Sequence, residues 1–242
     1  MLACQHANTP ACQHVNMLKS FQYETAMLIA TTNSKGGVGK STIAVQLAMW
    51  LHKKGKRVIV IDCDTQQSCS RWLHRVDVEI PTVQMGTPDE VFKYALDLEN
   101  QAEIVIADGP AGLAELTRAL LMVCELALVP CGPSALDLES SRVTIEVIRQ
   151  ARKIRKNDLP DALFVPNRLQ ANTTLAHELM AVSSQLGIPV TSTVLRLRQV
   201  YANAPGQGQV VWNIPNAPGE AVADMQLLCE EIMTYAGSKR EA

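Results

Sequence analysis

Residues 33 to 42 read Asn-Ser-Lys-Gly-Gly-Val-Gly-Lys-Ser-Thr, and few ten-residue stretches constrain a fold as tightly. Gly36, Gly37 and Gly39 let the backbone approach an anion and aim its N–H groups at it, with Val38 between them. Lys40 supplies a point charge suited to the β and γ phosphates of a nucleoside triphosphate, and Ser41 a hydroxyl suited to Mg²⁺, with Thr42 following. The flanks have the form such a loop requires. Met27 to Thr32 is a short apolar run that reads as a buried strand. Ile43, Ala44, Leu47, Ala48 and Leu51 recur at helical spacing, and Gly55 is expected to cap that helix. The positive end of the helix then points at the anion. The strict pattern G-x-x-x-x-G-K-[ST] asks for glycine at position 34. Here Ser34 stands there, beside a second lysine, Lys35.

Two further apolar runs end in carboxylates. Arg57 to Ile61 delivers Asp62-Cys63-Asp64-Thr65-Gln66, and Glu103 to Ala107 delivers Asp108-Gly109-Pro110-Ala111-Gly112. In open parallel sheets ligands sit beyond the carboxyl ends of strands. Asp108 is therefore placed to hold Mg²⁺ directly or through water. Asp62 and Asp64 are read as serving separate roles. A single aspartate at a strand end is most simply a cap; three of them around a phosphate loop point to chemistry.

The chain has 242 residues, 47% of them hydrophobic, enough to bury one substantial core. Apolar runs alternate with helical stretches, so the fold class is α/β, a single P-loop domain with a mostly parallel central sheet flanked by helices. Further strands are expected near Leu126–Val129, Leu163–Val165 and Val190–Leu195, and further helices near Leu113–Val123, Leu138–Lys156, Thr174–Leu186 and Glu220–Ala236. The ATPase domain is expected to span 27–242. Residues 1–26 carry Ala-Cys-Gln-His twice, at 3–6 and 11–14. That spacing is tight for a zinc site, so the segment is read as a flexible extension, or an upstream start ahead of a natural beginning at Met27. A net charge of −2 excludes a globally basic nucleic-acid binder. No apolar run reaches transmembrane length, and no signal-peptide pattern is expected. Seven cysteines, an odd count, suit a reducing cytoplasm better than a disulfide framework.

The motifs at 35–42, 62–66, 108–112 and Val-Pro-Cys-Gly-Pro-Ser-Ala-Leu-Asp at 129–137, with Arg-Gln-Val-Tyr at 198–201, resemble those of ParA-type partition ATPases of the ParA/MinD deviant Walker A family. The likeness runs from about Met27 onward, and is strongest to the small, ParF-like members without an N-terminal DNA-reading domain. It implies an ATP- and Mg²⁺-dependent homodimer in which Lys35 reaches the partner protomer's phosphates. It also implies that Asp64 positions the attacking water and Asp62 supports Mg²⁺, and it places Asn167 near the adenine base. Thr65 departs from the proline of many members. The resemblance further implies binding to non-specific DNA on the nucleoid. A ParB-like or adaptor protein would stimulate hydrolysis, and the cargo would be a plasmid, a chromosome or an organelle. Arg196 and Arg198 alternate with Leu195 and Leu197 after an apolar run, which suits phosphate contacts. A second basic cluster, Arg149, Arg152, Lys153, Arg155 and Lys156, also suits a helix C-terminus.

Two alternatives remain at this level. A MinD-like membrane ATPase needs a basic amphipathic tail, whereas 221–242 carries Asp224, Glu230, Glu231 and Glu241 against Lys239 and Arg240. An electron-transfer relative needs cysteines arranged for a shared cluster, and Cys124 and Cys131 lack the glycine-rich flanks for one.

Overall fold

A computed structural model describes residues 26–99, 101–112, 115–170, 181 and 186–240. Six strands form one sheet: β1 (Met27–Thr31), β2 (Val58–Asp62), β3 (Thr82–Gln84), β4 (Ile104–Asp108), β5 (Leu126–Cys131) and β6 (Asp161–Pro166). Their order is β3-β2-β4-β1-β5-β6, and every pairing is parallel. The helices are α1 (Lys40–Lys53), α2 (Ser68–Leu73), α3 (Pro88–Glu99), α4 (Glu115–Val123), α5 (Ala135–Arg155), α6 (Gln199–Gln207) and α7 (Gly219–Arg240).

The central strands are buried along their whole length, and apolar up to the polar residues that end β1, β2 and β4, because both faces are covered. Met27 and Ile29 of β1 pack on one side with Ile43 and Leu47 of α1 and Met225 and Ile232 of α7. Leu28 and Ala30 point the other way, to Val91 of α3, Leu120 of α4 and Ile148 of α5. That alternation is the two-residue period of a strand. β1 lies between β4 and β5, where the connections turn to opposite halves of the sheet, and ligands bind at such a point. The register places Thr31 beside Asp108 and Asp108 beside Asp62, so the acidic strand ends and the loop after β1 converge.

Gly55 lies just past α1 with φ +80° and its N–H bonded to the His52 carbonyl, the backbone that glycine adopts without strain. The strand expected at Val190–Leu195 does not form. Only single bridges occur, Phe164 to Val190 and Leu169 to Arg196. Glu231 of α7 takes the Ser192 N–H (2.6 Å), the Ser192 hydroxyl (2.9 Å) and the Thr193 N–H (2.9 Å), drawing the middle of the segment out of the ladder. The helix expected at Thr174–Leu186 falls almost wholly on residues outside those described, as does the extension expected at 1–26, of which only Ala26 is described. β3, α2, α3 and α6 were not among the expected elements.

Candidate nucleotide site

The phosphate loop emerges from β1 and runs into α1, whose N-cap is Gly39 at φ +103° with no side-chain cap. The first-turn N–H groups of α1 therefore have no capping side chain and are available to an anion. Lys40 is buried, its Nζ 3.0 Å from the Lys35 carbonyl. Burial pulls this lysine below its usual pKa, while Asp108 and Asp64 pull it back up. A cavity of about 1080 Å³ opens here, lined by Gly36, Lys40, Ser41, Asp62, Asp64 and Pro110, and also by Trp72, Met85 and Pro205. Among the described residues no helix is long and apolar enough to cross a membrane.

The three aspartates differ in environment. Asp108 is fully buried and accepts from the Thr31 hydroxyl at 3.2 Å, while its Oδ2 has no hydrogen-bond partner. Burial, reinforced by the Asp62 charge, pushes Asp108 up to about 7, against the Ser41 and Thr31 hydroxyls and the Lys40 charge. Asp62 is also buried, but its oxygens are taken: Oδ2 by the N–H and hydroxyl of Ser70 (2.7 and 2.6 Å), Oδ1 by the Asp64 N–H (3.1 Å). It anchors the start of α2. Asp64 stands just past β2, half-buried, with one oxygen on the Gln66 N–H at 2.9 Å. An orphaned carboxylate oxygen at the floor, a hydroxyl beside it and a cradle of N–H groups fit a magnesium–triphosphate pair. When bound, that metal would screen the phosphate charge. Ser41 and Asp108 would hold it, with Asp62 behind them.

Lys35 points away from Lys40. Its Nζ lies 2.5 Å from Asp137 Oδ1 and 3.4 Å from Ser134 Oγ. Ser134 and Asp137 form the capping box that starts α5, three residues before the expected start at Leu138. Burial alone would raise Asp137, but hydrogen bonds from Lys35 and Ser134 prevail and hold it below the ordinary carboxylate range. Ser34, in place of the expected glycine, donates its N–H to Thr144 Oγ1 (3.1 Å), pairs hydroxyls with Ser140 (2.7 Å) and accepts from the Gly112 N–H (2.8 Å). Asn33 bonds the Pro130 carbonyl (2.8 Å) and Ser141 Oγ (3.0 Å), and accepts from Ser140 Oγ. Residues 33, 34 and 35 are thus each fastened to the first turns of α5. Gly109 has its N–H on the Thr31 carbonyl at 2.9 Å, and a Cβ there would lie 2.5 Å from that oxygen.

Asn167, expected near the base, donates to the Val38 carbonyl at 2.7 Å and accepts from the Arg168 N–H at 2.8 Å. Arg168, with φ +59°, adds a 2.7 Å bond to the Gly37 carbonyl. The pair therefore fixes two successive loop carbonyls. A Cβ at Gly39 would lie 2.1 Å from the Asn167 amide nitrogen, which leaves only glycine there. Arg196 is exposed, whereas Arg198 is ion-paired to Glu220 (2.8 Å) and Asp224 (3.4 Å). In the other basic cluster, Arg149, Arg152 and Arg155 donate to the carbonyls of Leu186, Pro160 and Cys124, while Lys153 and Lys156 stay exposed. Cys63 lines the cavity, but burial pushes its thiol far up, so it is inert.

A phosphate loop between β1 and α1, with acidic side chains at the ends of β2 and β4 of an all-parallel sheet, defines a P-loop nucleotide-binding protein. Residues 29–211 match the CobQ/CobB/MinD/ParA nucleotide-binding domain, and the chain belongs to that family of P-loop ATPases. It is 33% identical over 204 residues to maintenance of carboxysome distribution protein A of Halothiobacillus neapolitanus, covering 82% of this chain and 92% of that protein. It is 26% identical over 238 residues to the chromosome-partitioning ATPase Soj of Thermus thermophilus, covering 85% and 94%. Among solved structures, the ATP complex of a Cyanothece McdA variant superposes with TM-score 0.70 at 15% identity, covering 86% of this chain and 96% of that one. The Pyrococcus horikoshii MinD complexed with Mg-ADP gives 0.68 at 21%, covering 88% and 98%. At those identities the two structures speak for the fold.

Proposed function

We propose that this chain is an ATP-hydrolysing positioning protein, cytoplasmic and associated with the nucleoid. It forms an ATP-sandwich homodimer, binds DNA without reading sequence, and lets go when a ParB-like or adaptor partner stimulates hydrolysis. The observation that carries this reading is the division of labour between two lysines on one loop. Lys40 is buried at the floor, while the Lys35 side chain is 38% exposed and rests on Asp137 at the start of α5. One charge neutralises the protomer's own nucleotide, and the other is available to a second copy. Two facing triphosphates repel each other, and a cation from each protomer offsets that repulsion. Asp64, the least enclosed of the three carboxylates, orients the attacking water. The identity to a carboxysome distribution protein favours a protein-organelle cargo over a plasmid or chromosome.

DNA contact falls to Arg196, because Arg198 is already committed to Glu220 and Asp224. With a net charge of −2, one protomer neutralises few phosphates, and dimerisation makes the contact bivalent. Binding to unrelated duplexes is expected with ATP and not with ADP or without nucleotide, and it should weaken steeply with salt. Arg196→Ala should weaken DNA binding in a mobility-shift assay while leaving ATP-driven dimerisation intact. Equal DNA binding in all three nucleotide states would overturn the switch.

A further inference from the structure

We infer that Asp137 is a positioning residue for Lys35: it holds this lysine on its own protomer and releases it only when a partner's triphosphate competes. This rests on the dimer reading above. Lys35 has little freedom except in its side chain. Its N–H is fixed by Asn33 Oδ1 at 2.9 Å, and its carbonyl holds Lys40 Nζ at 3.0 Å. The ammonium meets Asp137 Oδ1 at 2.5 Å, the shortest ion pair among the described residues. Asp137 cannot follow the lysine outward. Its backbone N–H is bound to Ser134 Oγ and its Oδ2 takes the Ser134 N–H, both at 3.1 Å. Gly132 lies behind it, so close that a Cβ there would sit 2.5 Å from Asp137 Oδ2. Reaching across a dimer therefore breaks the pair.

The same geometry makes that break affordable. With Lys35 gone, Asp137 keeps the Ser134 N–H and the positive end of α5, so its charge is not left bare. A partner's triphosphate carries several negative charges and outcompetes one carboxylate for the ammonium. Without a triphosphate opposite, nothing draws Lys35 out. Leu136, adjacent to Asp137, is 72% exposed, as expected of a surface that a second copy covers.

Asp137→Asn removes the charge and keeps an oxygen for the Ser134 N–H; Asp137→Glu keeps the charge and suits the third position of a capping box. Association with saturating Mg²⁺ and a non-hydrolysable ATP analogue is followed by light scattering against protein concentration. A partly exposed pair is worth about three- to fivefold. A dimer releases two such pairs, so Asp137→Asn should tighten association by roughly 10- to 25-fold. Asp137→Glu should match the wild type. Unchanged or weaker association in Asp137→Asn, with a wild-type circular dichroism melt, overturns the inference. A Glu variant as dimer-prone as the Asn variant assigns the effect to cap geometry and overturns it too. A second readout needs no dimer. Acetylation of Lys35 by an amine-reactive ester, in nucleotide-free protein and scored by peptide mass spectrometry, should be several-fold faster in Asp137→Asn than in wild type or Asp137→Glu. Equal rates overturn the latch. A wild type that never dimerises with ATP, yet shows the labelling difference, sinks the proposed function and leaves the latch standing.

Discussion

Replacing Asp108 with Asn should make the nucleotide-free protein more stable at neutral and alkaline pH, although it removes a residue of the site. Asp108 is fully buried with one oxygen unpartnered, and it keeps its proton up to about pH 7. In the unfolded chain it would ionise near the ordinary ~3.9. The folded state therefore binds this proton more tightly. Its contribution is fully present below the unfolded value and is lost as pH rises through the folded one. At 1.36 kcal/mol per pH unit, the loss is on the order of 4 kcal/mol by pH 8 and about 2 kcal/mol by pH 5.5. Asn escapes the loss and keeps an acceptor for the Thr31 hydroxyl. Its new amide hydrogens, if poorly paired, cost about 1–3 kcal/mol. The net expectation is a variant more stable than wild type by roughly 1–3 kcal/mol at pH 8 and near parity at pH 5.5.

Urea melts at the two pH values, without nucleotide or Mg²⁺, measure this directly. The decisive quantity is the widening of the gap between variant and wild type, about 2 kcal/mol from pH 5.5 to 8, because amide packing costs cancel in it. A gap that does not change with pH, or that favours wild type more at pH 8, would refute the claim that Asp108 is a strained carboxylate awaiting a cation. Mg²⁺ with ATP should reverse the order, stabilising wild type far more than Asp108→Asn.

Two further outcomes test the rest of the site. Lys40→Ala should lose ATP affinity by roughly 30-fold or more by calorimetry, since a buried charge partner of the phosphates is removed; affinity within a few-fold of wild type would sink the phosphate-loop assignment. Asp64→Ala should bind ATP normally and accumulate as a dimer, with turnover down by about 100-fold or more; a wild-type rate would show that another group orients the water.

How much of this was legible follows from where the information lay. Val58–Asp62 and Ile104–Asp108 were legible as strands because burial on both faces demands continuous apolar runs. The convergence of Asp62 and Asp108 followed, since a strand end fixes its last carboxylate. α3 carries two marks in the sequence: Val91, Ala95 and Leu98 at helical spacing, all buried on the sheet, and Thr87-Pro88-Asp89-Glu90 at its start. There Glu90 bonds the Gly86 and Thr87 N–H groups (2.7 and 3.0 Å), a capping box with proline in its first turn. The partners of Asn167 and Arg198 were invisible for a different reason. One is the backbone carbonyl of Val38, 129 residues away, and side-chain chemistry read along the chain says nothing about such a meeting.

Ser34 lies between these cases. Its departure from glycine was plain in the sequence, but its purpose is written on α5. Asp137, Ser140, Ser141 and Thr144 recur at i, i+3, i+4 and i+7, the spacing of one helix face. A search for apolar periodicity passes over such a stripe because its members are small and polar. Three of the four are buried, at 8%, 0% and 0% exposure for Asp137, Ser141 and Thr144, and buried polar groups need partners. Lys35, Ser34 and Asn33 are those partners. Glycine at 34 would have left Ser140 without its 2.7 Å hydroxyl contact and removed one of the ties between the loop and α5, beside those of Asn33 and Lys35. The variant loop and the polar face of α5 are therefore one structural unit, in which the serine fixes the loop and the neighbouring lysine is the side chain with room to leave.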